Sequence, residues 1–228
     1  MHYYYLLLIL LLPLVVKAQT DGLGSWSIIN IKYNINSKWS SFGEVQLRSL
    51  SFYDNFHYYE YKGGLNYKVQ NNLNVSFGAG SYQTYKEGGN FGTPKNNSEF
   101  RFWPQMLLFQ TIGIIKIEQR YRVELRYTTD GYRSRYRYRV EASYPLGAEK
   151  DNYKPFQISI GNELFFTDKE PYFERNRAYI GIHYKPSKTF TVLLGYLHQF
   201  DYKINDEIGR DFLQLGFFQE LFRKKHVP

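Results

Sequence analysis

Residues 133–144 read RSRYRYRVEASY, and they restrict what this chain can fold into more than any other stretch. Arg133, Arg135, Arg137 and Arg139 fall on every second position, with Tyr136, Tyr138 and Val140 between them. Successive side chains of a strand point to opposite faces, so a strand here is charged on one side and apolar on the other. In a soluble sheet the apolar side faces a core. In an outer-membrane barrel it faces lipid, and the charged side lines a polar lumen.

The pattern recurs along the chain. Period-two segments cover 25–36, 39–53, 56–68, 72–85, 98–110, 113–127, 133–146, 154–166, 175–185, 189–202 and, less cleanly, 211–222. Ile29 and Ile31 oppose Asn30 and Lys32, and Phe100 and Phe102 oppose Glu99 and Arg101. Ile117, Tyr121, Val123 and Leu125 oppose Lys116, Glu118, Arg120, Arg122, Glu124 and Arg126. In the last third, Ala178, Ile180 and Ile182 oppose Arg175, Arg177 and His183. Segments of this length exceed the five or six residues usual in a soluble sheet and suit a tilted membrane span. The connections 36–38, 70–71, 111–112 and 186–188 read as tight. Those at 86–97, 128–132, 167–174 and 203–210 read as longer, so short turns are expected on one rim and longer loops on the other. The segments number eleven, but single-chain bacterial barrels have even numbers. The expectation is therefore an all-β, antiparallel, up-and-down transmembrane barrel of ten to twelve strands, with twelve preferred.

Composition supports the same class. Of 228 residues 19% are aromatic, including 23 Tyr, and an apolar ring with a polar tip suits a lipid–water boundary. Mean hydropathy is −0.51, too polar for helical spans but not for strands that are polar at every other residue. The chain has no Cys. An apolar run from Tyr3 to Val16, followed by Lys17-Ala18-Gln19, has the length of a signal-peptide core. Residues 1–18 are expected to be removed on export, leaving 19–228 as one barrel domain.

The Arg/Glu ladder is the candidate site. Glu99, Arg101, Lys116, Glu118, Arg120, Arg122, Glu124, Arg126, Arg133, Arg135, Arg137, Arg139, Glu141, Arg175 and Arg177 are expected to line the lumen. Buried charges need partners, which cross-strand Arg–carboxylate pairs would supply. Barrels near eight strands are filled by side chains, and wide channels need about sixteen. A barrel of intermediate width is expected to have a narrow or closed lumen, and its basic excess favours passage of small anions. The net charge of +8 also raises nucleic acid as a partner, but the Arg and Tyr of 133–139 point to opposite faces and cannot grip one strand together.

Two other readings compete. One is a lipid-modifying hydrolase of the outer wall, with His57, His183 or His198 as base. No Gly-x-Ser-x-Gly elbow occurs, and Ser143 and Ser159 fall on inward phases. The other is a secreted β-sandwich. No catalytic residue, metal site or cofactor is assigned.

Trp26, EVQLR (44–48), EFRFWPQ (99–105), EQRYRVELRY (118–127) and RYRYRVEASYPL (135–146) together resemble a Bacteroidota family of outer-membrane β-barrels, domain of unknown function 2490. The resemblance implies a barrel in the outer membrane; the barrel class in turn implies contact with lipid and insertion by the barrel-assembly machinery. It implies no activity.

Overall fold

The computed structural model describes residues 20–149, 153–202 and 208–223. The expected signal peptide, residues 1–18, lies outside the described residues, as does 203–207 within the connection expected at 203–210.

Eleven strands are present among the described residues. They are β1 (Thr20–Asn34), β2 (Trp39–Ser51), β3 (Asp54–Gln70), β4 (Leu73–Lys86), β5 (Gly92–Ile112), β6 (Ile115–Thr128), β7 (Gly131–Leu146), β8 (Phe156–Thr167), β9 (Phe173–Tyr184), β10 (Phe190–Asp201) and β11 (Ile208–Phe222). Each pairs with its neighbour in sequence, and β1 pairs with β11 to close the barrel. The expected all-β up-and-down barrel is borne out, and the two-layered sandwich is not.

Two details are corrected. The strands number eleven, within the expected ten to twelve but not the preferred twelve, one for each period-two segment. And the wall is not antiparallel throughout. Neighbours alternate in direction, so the first and eleventh strands of an odd meander run the same way. Their ladder, from Thr20↔Gly209 to Asn34↔Phe222, is parallel.

The expected contrast between rims is also weaker than the sequence suggests. The rim carrying the tight turns 71–72 and 113–114 also carries the longest connection, 147–155. The opposite rim carries two-residue turns at 52–53 and 129–130. The expected loop 86–97 shrinks to 87–91, because Gly92–Ser98 continues β5 against Gln83, Thr84, Tyr85 and Lys86 through two register shifts. On this second rim, the Ser134 N–H donates to Asp168 Oδ1 at 3.0 Å and holds that carboxyl below its usual range.

The outward phase is apolar all the way round. Ile29, Val45, Tyr61, Phe77, Phe100, Tyr121, Tyr136, Ile160, Ile180, Leu194 and Phe217 place one large exposed hydrophobic residue on every strand. A band of this extent is far larger than the isolated exposed hydrophobics of a soluble surface. The inward phase carries the charges, together with two apolar pads. One is Trp26, Ile28, Leu197 and Phe212, and the other is Tyr58, Tyr82 and Trp103. The second depends on a missing side chain: a Cβ on Gly78 would stand 2.4 Å from the Trp103 ring. Glycine at that place lets the indole lie flat against the wall, buried in the lumen rather than in an aromatic belt.

An arginine–carboxylate network in the lumen

The strands β6 and β7 bring the ladder together in a register that the alternation does not disclose. Arg126 faces Arg133, Arg122 faces Arg137, Arg120 faces Arg139 and Glu118 faces Glu141. Only Glu124, opposite Arg135, meets an opposite charge directly. Like charges directly opposed on one face destabilise a sheet. The simple cross-strand pairs expected from the sequence are therefore replaced by diagonal pairs and by bonds to more distant strands.

Glu124 is the hub. It is fully buried, and Arg137 Nη1 donates to its Oε1 at 2.5 Å. Arg122, Arg101 and Arg135 stand 3.5, 3.6 and 3.6 Å from its oxygens. Glu163 on β8 reaches across β7 to take Arg120 of β6 at 2.5 Å, and also binds Arg137 at 2.7 Å. Glu99 accepts a fork from Arg126, at 2.6 and 2.9 Å, and a further bond from Arg101 at 2.7 Å. Glu174 on β9 gathers Arg135, Arg126 at 3.6 Å and Arg133 at 3.8 Å. Direct cross-strand bonds from Arg122 to Gln105 Oε1, at 2.5 and 2.8 Å, and a diagonal bond from Arg139 to Glu118 complete the ladder. Glu141 accepts from Tyr179 at 2.7 Å. Arg175 binds Asp201, and Arg177 donates to Gln199 at 2.9 Å. Lys116 stands apart: it is exposed at the rim beside Ser143 and does not border the lumen cavity.

The opposite wall has its own cluster. Arg48 pairs with Glu60 at 3.2 Å, and Lys62 with Glu44 at 2.6 Å, while Tyr58 donates to Glu60. Arg48 lies 3.6 Å over the Trp26 ring and Arg101 3.8 Å over Tyr82, so guanidiniums cover the apolar pads instead of facing water. The phase of the alternation puts Glu60, Lys62 and Glu163 on the polar face. It also carries Trp26 and Phe165, as inward neighbours of Asn30 and Glu163. Glu174 is hidden in the sequence by the preceding 167–174 connection, and it enters the lumen beside a register shift at Phe165/Phe166.

These side chains leave a cavity of about 1110 Å³, bordered by Lys32, Glu118 and Phe218 toward one rim and by Glu87, Lys169 and Tyr202 toward the other. Among the described residues, fifteen Lys and Arg and ten Asp and Glu border it. At the second rim Arg210 of β11 pairs with Glu87 in the β4–β5 connection, bridging strands that are not neighbours.

The three histidines fall in different places. His57 is buried at a β-bulge, being the extra residue between Arg48↔Tyr58 and Ser49↔Phe56. His183 Nε2 lies 2.8 Å from Ser159 Oγ on the lumen side. His198 Nδ1 lies 2.7 Å from Asp211 Oδ1 on the outer wall, and Tyr196 donates to the same oxygen at 2.5 Å.

The family described as "Protein of unknown function (DUF2490)" matches residues 23–209, from the start of β1 into β11. The chain belongs to that family. No curated protein matches its sequence. The family description assigns no activity, so what this member does has to be argued from the lumen and the outer wall.

Proposed function

We propose that this member of the family is an integral barrel of the Gram-negative outer membrane that passes small anions through a narrow lumen and performs no catalysis. The resemblance to the Bacteroidota barrels supports the membrane and the assembly route. The band of exposed Ile, Leu, Val, Phe and Tyr on all eleven strands supports contact with lipid. The observation that carries the reading is the cavity itself, bordered from rim to rim and, among the described residues, with more cationic than anionic side chains on its wall even when Glu124 behind it is counted. A cationic lining lowers the cost of bringing an anion out of water and raises it for a cation. The network at Glu124, Glu163 and Glu99 holds arginine side chains across the lumen, so the expected flux is small.

The test is conductance of the refolded mature protein in a planar bilayer under a salt gradient. The expected result is small, reproducible steps whose reversal potential marks anions as the carriers. A silent bilayer, with folding shown by heat-modifiable migration on a gel, refutes conduction and leaves a lumen shut by its own ion pairs. The hydrolase reading has one observation in its favour, the 2.8 Å contact of Ser159 Oγ with His183 Nε2. Both side chains border the lumen, away from a lipid acyl chain at the outer wall.

A further inference from the structure

Arg177 differs from the other arginines of the mid-section. It is 7% exposed and sits on β9, directly opposite Glu163 in the β8–β9 ladder. That carboxylate is turned away, toward Arg120 at 2.5 Å and Arg137 at 2.7 Å. Arg175, two residues before it on the same face, is satisfied by Asp201. Among the described residues no carboxylate lies within 4 Å of Arg177. Its one hydrogen bond is from Nε to the neutral Gln199 Oε1, at 2.9 Å.

The surroundings give the position a second character. The Arg177 guanidinium carbon lies 4.9 Å from the Trp26 ring centroid and 4.8 Å from that of Phe165. Arg48 approaches the same indole at 3.6 Å, and Arg137 the same phenyl at 4.5 Å. Arg177, Trp26 and Phe165 all border the lumen cavity. A buried guanidinium without a counter-charge costs several kcal/mol. The rings offset a part of this through their faces, and Nη1 and Nη2 are left to water or an ion in the adjoining cavity. The fold supplies a cation, free donors, two aromatic walls and adjoining space.

We propose that Arg177, with Trp26 and Phe165 as side walls, holds a small monovalent anion as the missing counter-ion of the lumen. A guanidinium is weakly hydrated, so with the ring faces taken by the cation, an anion at its Nη edge should be one that also gives up water cheaply. Iodide, bromide and nitrate should therefore bind more tightly than chloride, and sulfate should bind poorly. This site shares the lumen with the proposed anion path but does not need conduction, because a closed barrel would need the counter-ion equally.

The probe is iodide, and the reporter is Trp26 in a W39F/W103F background refolded in detergent. Quenching should saturate with iodide concentration. It should persist in R177K and weaken roughly tenfold or more in R177Q, as for loss of a charged hydrogen-bond partner. Q199E keeps the arginine and gives it a fixed carboxylate, at the loss of the Gln199 Nε2 bond to Asp201 Oδ2 at 2.7 Å, so it should also abolish saturable quenching. Q199E thus keeps the test decisive if R177Q does not fold. Quenching that never saturates in the parent, or that survives both R177Q and Q199E, overturns the site. Saturable quenching in a barrel that is silent in the bilayer keeps the site and refutes the path. Conduction without saturable quenching does the reverse.

Discussion

Glu124 is the residue whose loss the network should feel most, and the structure limits by how much. It has no exposed surface, and four arginines converge on it. Removing one member of a buried ion pair costs about 3–5 kcal/mol, because the partner charge is left stranded. In Glu124→Gln three of the four arginines are not stranded: Arg101 keeps Glu99, Arg135 keeps Glu174 and Arg137 keeps Glu163. Only Arg122 loses its sole carboxylate within 4 Å among the described residues, keeping Gln105. The expected cost is that of one stranded guanidinium, about 3 kcal/mol. Glu141→Gln is the contrast: Glu141 is half-buried and gives up one bond from Tyr179, so it should cost about 1 kcal/mol. The assay is reversible urea unfolding of the barrel in lipid vesicles, followed by tryptophan emission. The double variant R122Q/E124Q removes the stranded charge and should recover about 2 kcal/mol of the loss. If E124Q costs no more than E141Q, or the double variant recovers nothing, Glu124 is not the hub of the network.

Two further outcomes follow from other parts of the wall. Leu194→Arg, on an outward position that is 61% exposed in mid-β10, should cost about 2–4 kcal/mol in vesicles if the band meets lipid. The same urea titration reads it, and a neutral result would place the band in water. Gly78→Ala pushes a methyl group into the buried Trp103 ring and should cost about 1–3 kcal/mol by overpacking. Recovery of that loss by Trp103→Leu would tie it to the contact, and a Gly78→Ala barrel as stable as the parent would refute it.

The wall was legible because its two faces meet two environments, and that is the one property period two reports. Each of the eleven alternating segments has its strand, including 211–222, where Phe212 and Phe218 turn inward against Trp26 and blur the pattern. The preference for twelve strands came from the habits of other barrels, whereas the chain's own segments numbered eleven. Strand ends were less legible: Gly92, Pro94 and Asn96 are turn formers, yet the ladder with β4 carries them as strand. Within the site, alternation shows which way an arginine points but not its depth or its cross-barrel partner. Register set four like-charged pairs face to face across β6 and β7, and Glu163 and Glu174 had to come from strands farther on. No local pattern carries that information, since it depends on how far the sheet curls before it closes.

That curl also explains why the interior is built from arginine. At eight strands ordinary side chains fill a barrel, and near sixteen they leave a channel. Eleven strands leave a gap that leucine or phenylalanine cannot span, and the apolar residues that do turn inward lie as pads against the wall. An arginine reaches far enough to bond across a neighbouring strand, as Arg120 does to Glu163 and Arg126 to Glu174. Such bonds tie strands that share no ladder, so they fix the cross-section of the barrel as a core would. The same choice fills the lumen with cations more quickly than neighbouring strands can supply carboxylates. A barrel of this width braced by arginine therefore carries an excess of positive charge among its described lining residues, and Arg177 lies buried there with a neutral acceptor in place of a carboxylate.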